Sequence, residues 1–331
     1  MKRVGTWLAV RTGSYQSAVE GLAENLRVEV SKTSLWRVVQ EKGAVVKSRL
    51  DAEAQEQWGL PPQGQVVTGE VKQKTPMGIA VDGVYINLVE EGWKEVKVGA
   101  VFEVVPLSPT KQGGERRRQE QTEGRERVKA QAISYCATLG SVDEFEPVQW
   151  AEACRRQLPR CWDSVVLGDG AEWIDRIHQT CYPDAVRVVD WYHACEHLAG
   201  LARQAFGEGT PLAHRWLGHR KDELWRGEVH GVVNAITQLP ATVPDKTREA
   251  NYFSKHHRAM NYLEFSEMGF PIGSGVVEGG GCKGVVQGRF KRVGMRWSRQ
   301  GAENLLALCC EYSSGRWQQL WTSPPQNPSK I

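Results

Sequence analysis

Two short β-branched runs, each ending in an aspartate and followed at once by a helical pattern, constrain the fold of this chain most. Ser164-Val-Val-Leu-Gly leads to Asp169, and Val186-Arg-Val-Val leads to Asp190. Open α/β sheets bind ligands at the carboxyl ends of their strands. The stretch from Ser164 to His197 therefore predicts two strands that deliver acids to one edge of a sheet.

An earlier β-rich region supplies a further acid. Residues 78–83, 84–88 and 95–105 are interpreted as three successive antiparallel strands, the first of which ends at Asp82. Asp82 is followed by Gly83, and such a pair is more often a turn than a catalytic acid. Asp82 is therefore a candidate that needs support from the rest of the fold.

Two segments separate these strands from the run that ends at Asp169. Residues 111–129 mix acidic and basic side chains, and we interpret them as a solvated loop or a frayed helix. Ser141 and Glu144 then form a capping box, which predicts a helix that runs to about residue 158.

Beyond His197 the pattern is helical as far as residue 270, which predicts an all-helical insertion. After it, Ser274 is placed to cap a helix that carries Glu278 near its first turn, where the helix dipole favours an acid. The run Gly279-Gly-Gly281 follows directly, although each glycine costs up to about 1 kcal/mol in a helix interior.

The N-terminal region is predicted to read DNA. Ser14 and Ser31 can each cap a helix, so residues 14–43 are interpreted as two helices with a tight link. A short helix, a turn and a second helix with polar residues at its start are typical of a helix-turn-helix, whose second helix enters the major groove. A plain helical hairpin is the alternative interpretation. The candidate DNA-binding residues of the second helix are Lys32, Thr33 and Arg37.

A basic tract lies near the C-terminus. No acidic residue occurs from Gly279 to Ala302. Basic side chains around an aromatic one are the combination that holds a nucleic-acid backbone and stacks a base. A solvated helix face is the alternative, but it leaves the charge unbalanced. The candidate DNA-binding residues here are Lys283, Arg289, Lys291, Arg292, Arg296, Trp297 and Arg299.

The composition indicates in which cellular compartment such a site would act. In 331 residues no run approaches the roughly 18 apolar residues of a membrane span, and the N-terminus has no apolar segment of a signal peptide. The eight cysteines include no C-x-x-C pair, so we expect reduced thiols and a cytoplasmic location. The net charge of +3 indicates little about partners.

The order of the predicted elements favours an α/β fold of the RNase H-like kind, a mixed five-stranded sheet with flanking helices. Its first and fourth strands are neighbours, so Asp82 and Asp169 would lie side by side, and Glu278 of the closing helix would complete the set. Carboxylates prefer Mg²⁺ or Mn²⁺ among biological metals. Two such ions about 3.5–4 Å apart can activate a water or a 3′-hydroxyl and stabilise the leaving oxygen of a phosphodiester.

Five motifs in this order resemble those of DDE-class transposases from bacterial insertion sequences of the ISKra type, related to the Mutator-like group. They extend from residue 77 to about residue 310, and the helix-turn-helix matches the stretch just upstream in that family. The motifs are Val81-Asp82-Gly83, Leu167-Gly-Asp169-Gly-Ala-Glu-Trp173-Ile, Val189-Asp190-Trp-Tyr-His193 with Glu196-His197-Leu, Ile272-Gly-Ser-Gly-Val-Val-Glu278, and Gly294-Met-Arg-Trp297.

The resemblance implies that Asp82, Asp169 and Glu278 are catalytic acids that hold two Mg²⁺ (or Mn²⁺) ions. It implies cleavage at the ends of an insertion sequence and strand transfer into target DNA. The partners would be double-stranded DNA and further copies of the chain in a synaptic complex at the nucleoid, with no membrane. The expected regions are a helical DNA-binding region at 1–60, the first part of the catalytic core at 70–200, the helical insertion at 201–270, the closing helices at 271–315 and a tail at 316–331.

Asp190 and His193 resemble the Asp/Cys-x-x-His signature of the wider group. We expect them to form hydrogen bonds near the metal centre and fix the helix, or to touch DNA. Asp190 also competes with Asp169 for the middle position, but its strand would lie one place further from Asp82. A zinc site at His193, Cys195 and His197 is the alternative, although no cysteine pair supports it.

Two other hypotheses remain beside an active transposase. Family members carry a longer N-terminal region with paired cysteines, so the chain could be a truncated remnant that binds DNA without cutting it. An RNase H-like structure-specific nuclease would use the same acids on junctions or hybrids without strand transfer. Both catalytic hypotheses require the carboxylates of Asp82, Asp169 and Glu278 to converge.

Overall fold

The computed structural model describes residues 1–58, 75–107, 127–161 and 163–322, which form an α/β protein around a five-stranded mixed sheet. This confirms the predicted fold class at that level. The strand order is β3-β2-β1-β4-β5; β1, β2 and β3 are antiparallel neighbours, whereas β1, β4 and β5 run parallel. The strands are β1 (Met77–Leu88), β2 (Gly92–Pro106), β3 (Val128–Thr138), β4 (Ser164–Gly168) and β5 (Val186–Val189).

The prediction of two short strands at 78–83 and 84–88 is wrong. Asp82 and Gly83 do not turn the chain, because β1 continues through them and pairs with β2 along its whole length. Gly83 instead leaves room for the side chain of Glu95 on the neighbouring strand, since a Cβ on Gly83 would lie 2.2 Å from the Oε1 atom of Glu95. The first two predicted strands are therefore one.

The third antiparallel strand, β3, was not predicted from the sequence. Ala132 has a φ of 48°, and the pairing of β3 with β2 shifts register between Val101 and Glu103. Such a bulge places an extra residue in one strand, so polar and apolar side chains do not alternate along β3. Residues 111–126 of the mixed-charge segment lie outside the described residues. Residues 128 and 129, at the end of that segment, begin β3.

Helices surround the sheet, and alternate side chains of β1 enter two separate hydrophobic cores on its two faces. A π-helix (Val276–Gln287) continues as one helical turn (Gly288–Phe290), and 3₁₀ turns occur at Leu158–Arg160 and His257–Ala259. The α-helices are α1 (Lys2–Arg11), α2 (Tyr15–Leu26), α3 (Lys32–Trp58), α4 (Val142–Arg155), α5 (Glu172–Cys181), α6 (Trp191–Phe206), α7 (Pro211–Trp225), α8 (Val229–Thr237), α9 (Lys246–His256), α10 (Tyr262–Glu267), α11 (Arg299–Ser313) and α12 (Gln319–Thr322).

Several predicted helix starts are confirmed. The hydroxyls of Ser14 and Ser31 each accept a hydrogen bond of 3.0 Å from the backbone three residues on, at the starts of α2 and α3. The capping box of Ser141 and Glu144 is present at the start of α4. The helix α3 is one continuous element that packs against α4 and α11. Through these contacts the N-terminal region is joined to the helices that flank the sheet.

The chain between β5 and residue 270 is helical, as α6 to α10. None of the helices within the described ranges combines the length and the apolar character that crossing a membrane requires.

Candidate active site

Acidic side chains lie at one level across three neighbouring parallel strands, inside β1 and directly after β4 and β5. Ala80 of β1 pairs with Leu167 of β4, and Asp82 and Asp169 each follow two residues later. The pairing of β4 with β5 places Asp190 at the same level. The sheet therefore brings Asp82 beside Asp169. This agrees with the prediction that their strands are neighbours.

The helix that carries Glu278 packs against β1 and β2 near these acids. It is a π-helix rather than an α-helix, a rare form that is frequent at functional sites. Glu278 joins the aspartates around a cavity of about 260 Å³. The lining residues are Asp82, Asp169, Asp190, Tyr192, His193, Glu196, Ser274, Glu278, Cys282, Lys283 and Gln287.

Two of the three glycines after Glu278 let the π-helix approach the sheet closely. A Cβ on Gly280 would lie 1.8 Å from the hydroxyl of Tyr135, and a Cβ on Gly281 would lie 2.7 Å from Cγ1 of Val98. A Cβ on Gly279 would meet nothing within 4 Å. The glycine run that would weaken an α-helix thus allows this helix to pack on β2 and β3.

Each of the three predicted catalytic carboxylates accepts a hydrogen bond from the protein. The donors are the backbone of Gly83 to Asp82 (2.7 Å), the backbone of Ala171 to Asp169 (2.8 Å) and the hydroxyl of Ser274 to Glu278 (2.8 Å). The thiol of Cys282 also donates to the second oxygen of Asp82 at 3.3 Å. The acids are thus held by local donors around a shared cavity.

The electrostatics of Asp82 reflect this crowding. Burial raises the pKa of its carboxyl, and the negative charges of Asp169 and Glu278 raise it further, against the hydrogen bonds from Gly83 and Cys282. Burial and the nearby Asp82 also raise the pKa of the Cys282 thiol, which keeps it protonated as a donor. Three acids that repel one another around a cavity favour the binding of a cation.

The donor set fits a hard divalent cation in its chemistry, because Mg²⁺ and Mn²⁺ prefer carboxylate oxygens. The carboxylates do not form a finished coordination shell, however. Within residues 1–58, 75–107, 127–161 and 163–322, no three His, Cys, Asp or Glu side chains are gathered closely enough to hold a metal ion.

Asp190 connects two elements beneath the cavity. Its side chain is buried, with 1% exposure, and one oxygen accepts a hydrogen bond of 2.8 Å from the backbone of His193 at the start of α6. The other oxygen accepts from the backbone and, at 2.6 Å, from the hydroxyl of Ser274. That hydroxyl also lies 2.8 Å from Glu278, and its one proton is shared between the two carboxylates, so Asp190 positions the residue that contacts Glu278.

His193 ends a chain of polar groups that the sequence did not predict. Its Nε2 atom lies 3.1 Å from Nε2 of His197, whose Nδ1 atom contacts the buried carboxylate of Glu249 on α9. The ring of Tyr252 stacks on His197, with centroids 4.3 Å apart. The zinc alternative at His193, Cys195 and His197 stays a prediction. No motif in the sequence links Glu249 to the distant His197.

The structure leaves several predicted DNA-binding side chains exposed. They are Lys32, Thr33 and Arg37 at the start of α3, Lys283 at the cavity, and Lys291, Arg292 and Arg296 after the π-helix.

Three members of the predicted DNA-binding set need correction. Trp297 cannot be a stacking platform, because it is 8% exposed and its indole donates to the backbone of Phe290 at 3.3 Å. Arg289 is 2% exposed, with its guanidinium over the rings of Tyr15 and Trp297. Arg299 is largely neutralised by ion pairs with two glutamates, Glu91 and Glu303.

The error at Trp297 has a local physical cause. The basic tract is not a single helix face, because the chain after residue 290 forms an isolated β-bridge between Trp297 and Leu88 at the end of β1. That bridge draws the tryptophan into the core, whereas a reading based on charge and spacing treats the whole tract as surface. Trp93, which no sequence pattern singles out, is an exposed aromatic side chain near the tract.

A comparison with known protein families found no family that matches this chain, and a comparison with curated proteins found no relative.

Proposed function

We propose that the chain is a divalent-metal-dependent DNA transposase of the DDE class, built on an RNase H-like core. The observation that carries the proposal is the single cavity lined by Asp82, Asp169 and Glu278, which reach it from β1, β4 and the π-helix. The strand order β3-β2-β1-β4-β5 supports the RNase H-like core. The exposed basic residues on α3 and after the π-helix support DNA as the substrate.

In this mechanism the carboxylates of Asp82, Asp169 and Glu278 hold the cations and face the scissile phosphate. Two bound ions supply activation of the attacking water or 3′-hydroxyl and stabilisation of the leaving oxygen. Lys283 lines the same cavity and contributes a positive charge toward the DNA backbone. Ser274 and Asp190 orient Glu278 through the hydrogen bonds described above.

The N-terminal helices would supply sequence recognition. In the helix-turn-helix interpretation, the exposed start of α3 with Lys32, Thr33 and Arg37 enters the major groove of a terminal repeat. The enzyme would act at the nucleoid, with two or more copies of the chain assembled on paired DNA ends.

Replacing Asp169 with Asn tests this function directly. We expect Mg²⁺-dependent cleavage of a labelled duplex carrying the sequence that flanks the gene to fall by more than about 100-fold, since even groups that only support a metal ligand give 10- to 100-fold losses. DNA binding, measured by fluorescence anisotropy, should persist. Asp163→Asn is the matched control, because Asp163 is exposed at the opposite end of β4.

Three outcomes would contradict the proposal. Undiminished cleavage by Asp169→Asn would remove the carboxylates from catalysis. Binding without cleavage by the wild-type chain, in both Mg²⁺ and Mn²⁺, would favour the non-catalytic remnant. Cleavage of junctions or RNA–DNA hybrids, with no strand transfer and no need for terminal sequences, would favour the structure-specific nuclease.

A further inference from the structure

The end of the β1–β2 hairpin exposes two large aromatic side chains on one face. Tyr85 is 54% exposed and Trp93 is 60% exposed. Tyr85 pairs with Glu95, and Trp93 pairs with Asn87, so the two rings occupy diagonal positions on the same face of the two strands. Diagonal neighbours of this kind are within reach of each other when their side chains are aromatic.

This part of the hairpin projects beyond the parallel strands. The pairing of β1 with β4 includes Ala80 as its last partner, whereas the pairing of β1 with β2 continues to Leu88. The segment after the π-helix forms backbone hydrogen bonds with this projecting end of β1. The backbone of Trp297 donates to Asn87 at 3.0 Å and accepts from Val89 at 2.9 Å.

The segment after the π-helix places positively charged side chains near the two exposed rings. The ammonium of Lys291 lies 5.7 Å from the ring centroid of Trp93, and the guanidinium of Arg296 donates to the backbone of Val89 at 3.3 Å. These two exposed cations make no ion pair within the described part of the chain. We call Tyr85, Trp93, Lys291 and Arg296 the hairpin surface.

The acids near the hairpin surface cancel only part of this charge. Glu91 pairs with Arg299 and Lys94, and Glu95 pairs with Lys97. Glu90 in the turn is an exposed acid without such a pair among the described residues. Two cations without ion pairs, Lys291 and Arg296, against one such acid leave the hairpin surface positive beside its exposed rings.

Lys291 follows the cavity by one helical turn. Lys283 and Gln287 line the cavity from the π-helix, and the backbone of Lys291 donates to the carbonyl of Gln287 at 3.1 Å. This turn is the part of the chain that joins the hairpin surface to the cavity lining.

We propose that the hairpin surface binds the single-stranded DNA that flanks the cleavage position, with an unpaired base stacked on Trp93 and phosphates on Lys291 and Arg296. A base inside a duplex is already stacked on its neighbours, so an exposed ring next to cations fits an unpaired strand. The inference rests on the proposed action on DNA, but it assigns a specific role to residues outside the carboxylate site.

The test compares two fluorescent duplexes, one with blunt ends and one with a single-stranded 3′ extension, by anisotropy with the full-length chain. We expect the wild-type chain to prefer the extended duplex. Trp93→Ala should lower affinity for the extended duplex by roughly ten-fold or more, and Trp93→Phe should keep most of it, since a phenyl ring still stacks. Leu212→Ala is the matched control, because Leu212 is also 60% exposed but lies on α7.

Salt dependence tests the cationic part. Lys291→Gln should weaken binding and reduce the slope of log K against log salt by about 0.7 to 0.9, the contribution of one phosphate contact.

The outcomes separate this inference from the proposed function. No binding of either duplex by the wild-type chain would overturn both. Wild-type binding with an unchanged preference in Trp93→Ala would overturn the inference and leave the proposed function standing. Conversion of a dimer to a monomer by Trp93→Ala, with DNA affinity unchanged, would assign the hairpin surface to a second copy of the chain and overturn it as well.

Discussion

At the scale of single residues, Asp82 carries an electrostatic cost that a bound cation would relieve. Its carboxyl is partly buried near Asp169 and Glu278, and its pKa is raised above the ordinary value. Below the pKa of the unfolded chain, both states hold the proton and no cost arises. As the pH rises toward the folded-state pKa, the unfolded state releases its proton first, so the metal-free protein loses stability.

This loss of stability with rising pH predicts a measurable effect of Asp82→Asn. The amide can still accept the hydrogen bond from Gly83 but carries no charge, so the metal-free variant should have a higher Tm than the wild type at neutral pH. The difference should shrink toward zero near pH 3, and Mg²⁺ should raise the Tm of the wild type more than that of the variant. Calorimetry over this pH range measures it, with Asp163→Asn as control. A lower Tm of the variant at neutral pH would contradict the account.

Local chemistry made the residue-level site partly predictable. Asp169 and Asp190 end β-branched runs, so their place at strand ends follows from the sequence alone. The support of Glu278 by Ser274 and Asp190 does not, because it depends on a contact between segments 84 residues apart. The same limit hid Glu249, which meets His197 through the fold of the helical segment.

At the scale of elements, predictions hold where one local pattern determines the structure and fail where packing overrides it. The helix starts at Ser14, Ser31 and Ser141 follow from capping chemistry. The strand β3 was missed because of the bulge at Ala132, and Trp297 was misplaced because a β-bridge draws it inward. The π-helix was expected to be an α-helix, since its close approach to β2 and β3 cannot be read from Gly279-Gly-Gly281.

The crossing of α3 and α11 provides a test at this scale. A Cβ on Gly43 would lie 2.5 Å from the backbone oxygen of Asn304, so Gly43→Ala should force the helices apart. We expect a loss of about 1–3 kcal/mol in the free energy of unfolding, the usual cost of overpacking.

Gly218→Ala is the matched control in the interior of α7. A Cβ there meets nothing within 4 Å, so it should be neutral or stabilise by up to about 1 kcal/mol. Chemical denaturation measures both variants. Equal stability of the two would show that α3 does not pack closely on α11 in solution.

At the scale of the whole molecule, the order of the strands positions the site. The sequence predicts a sheet in which the strands of Asp82 and Asp169 are neighbours, and the order β3-β2-β1-β4-β5 confirms that neighbouring. The hairpin beyond β4 and the segment after the π-helix then extend the surface away from the cavity. Their joint surface follows from tertiary pairing between residues 87–89 and 297, which no local sequence pattern reveals.

The proposed function requires that Asp82, Asp169 and Glu278 bind divalent cations. Anomalous diffraction from crystals grown with Mn²⁺ locates such cations. We expect two Mn²⁺ ions in the cavity, about 3.5–4 Å apart, bound by the three carboxylates. A cavity without Mn²⁺, in a preparation that cleaves DNA with Mn²⁺, would contradict it.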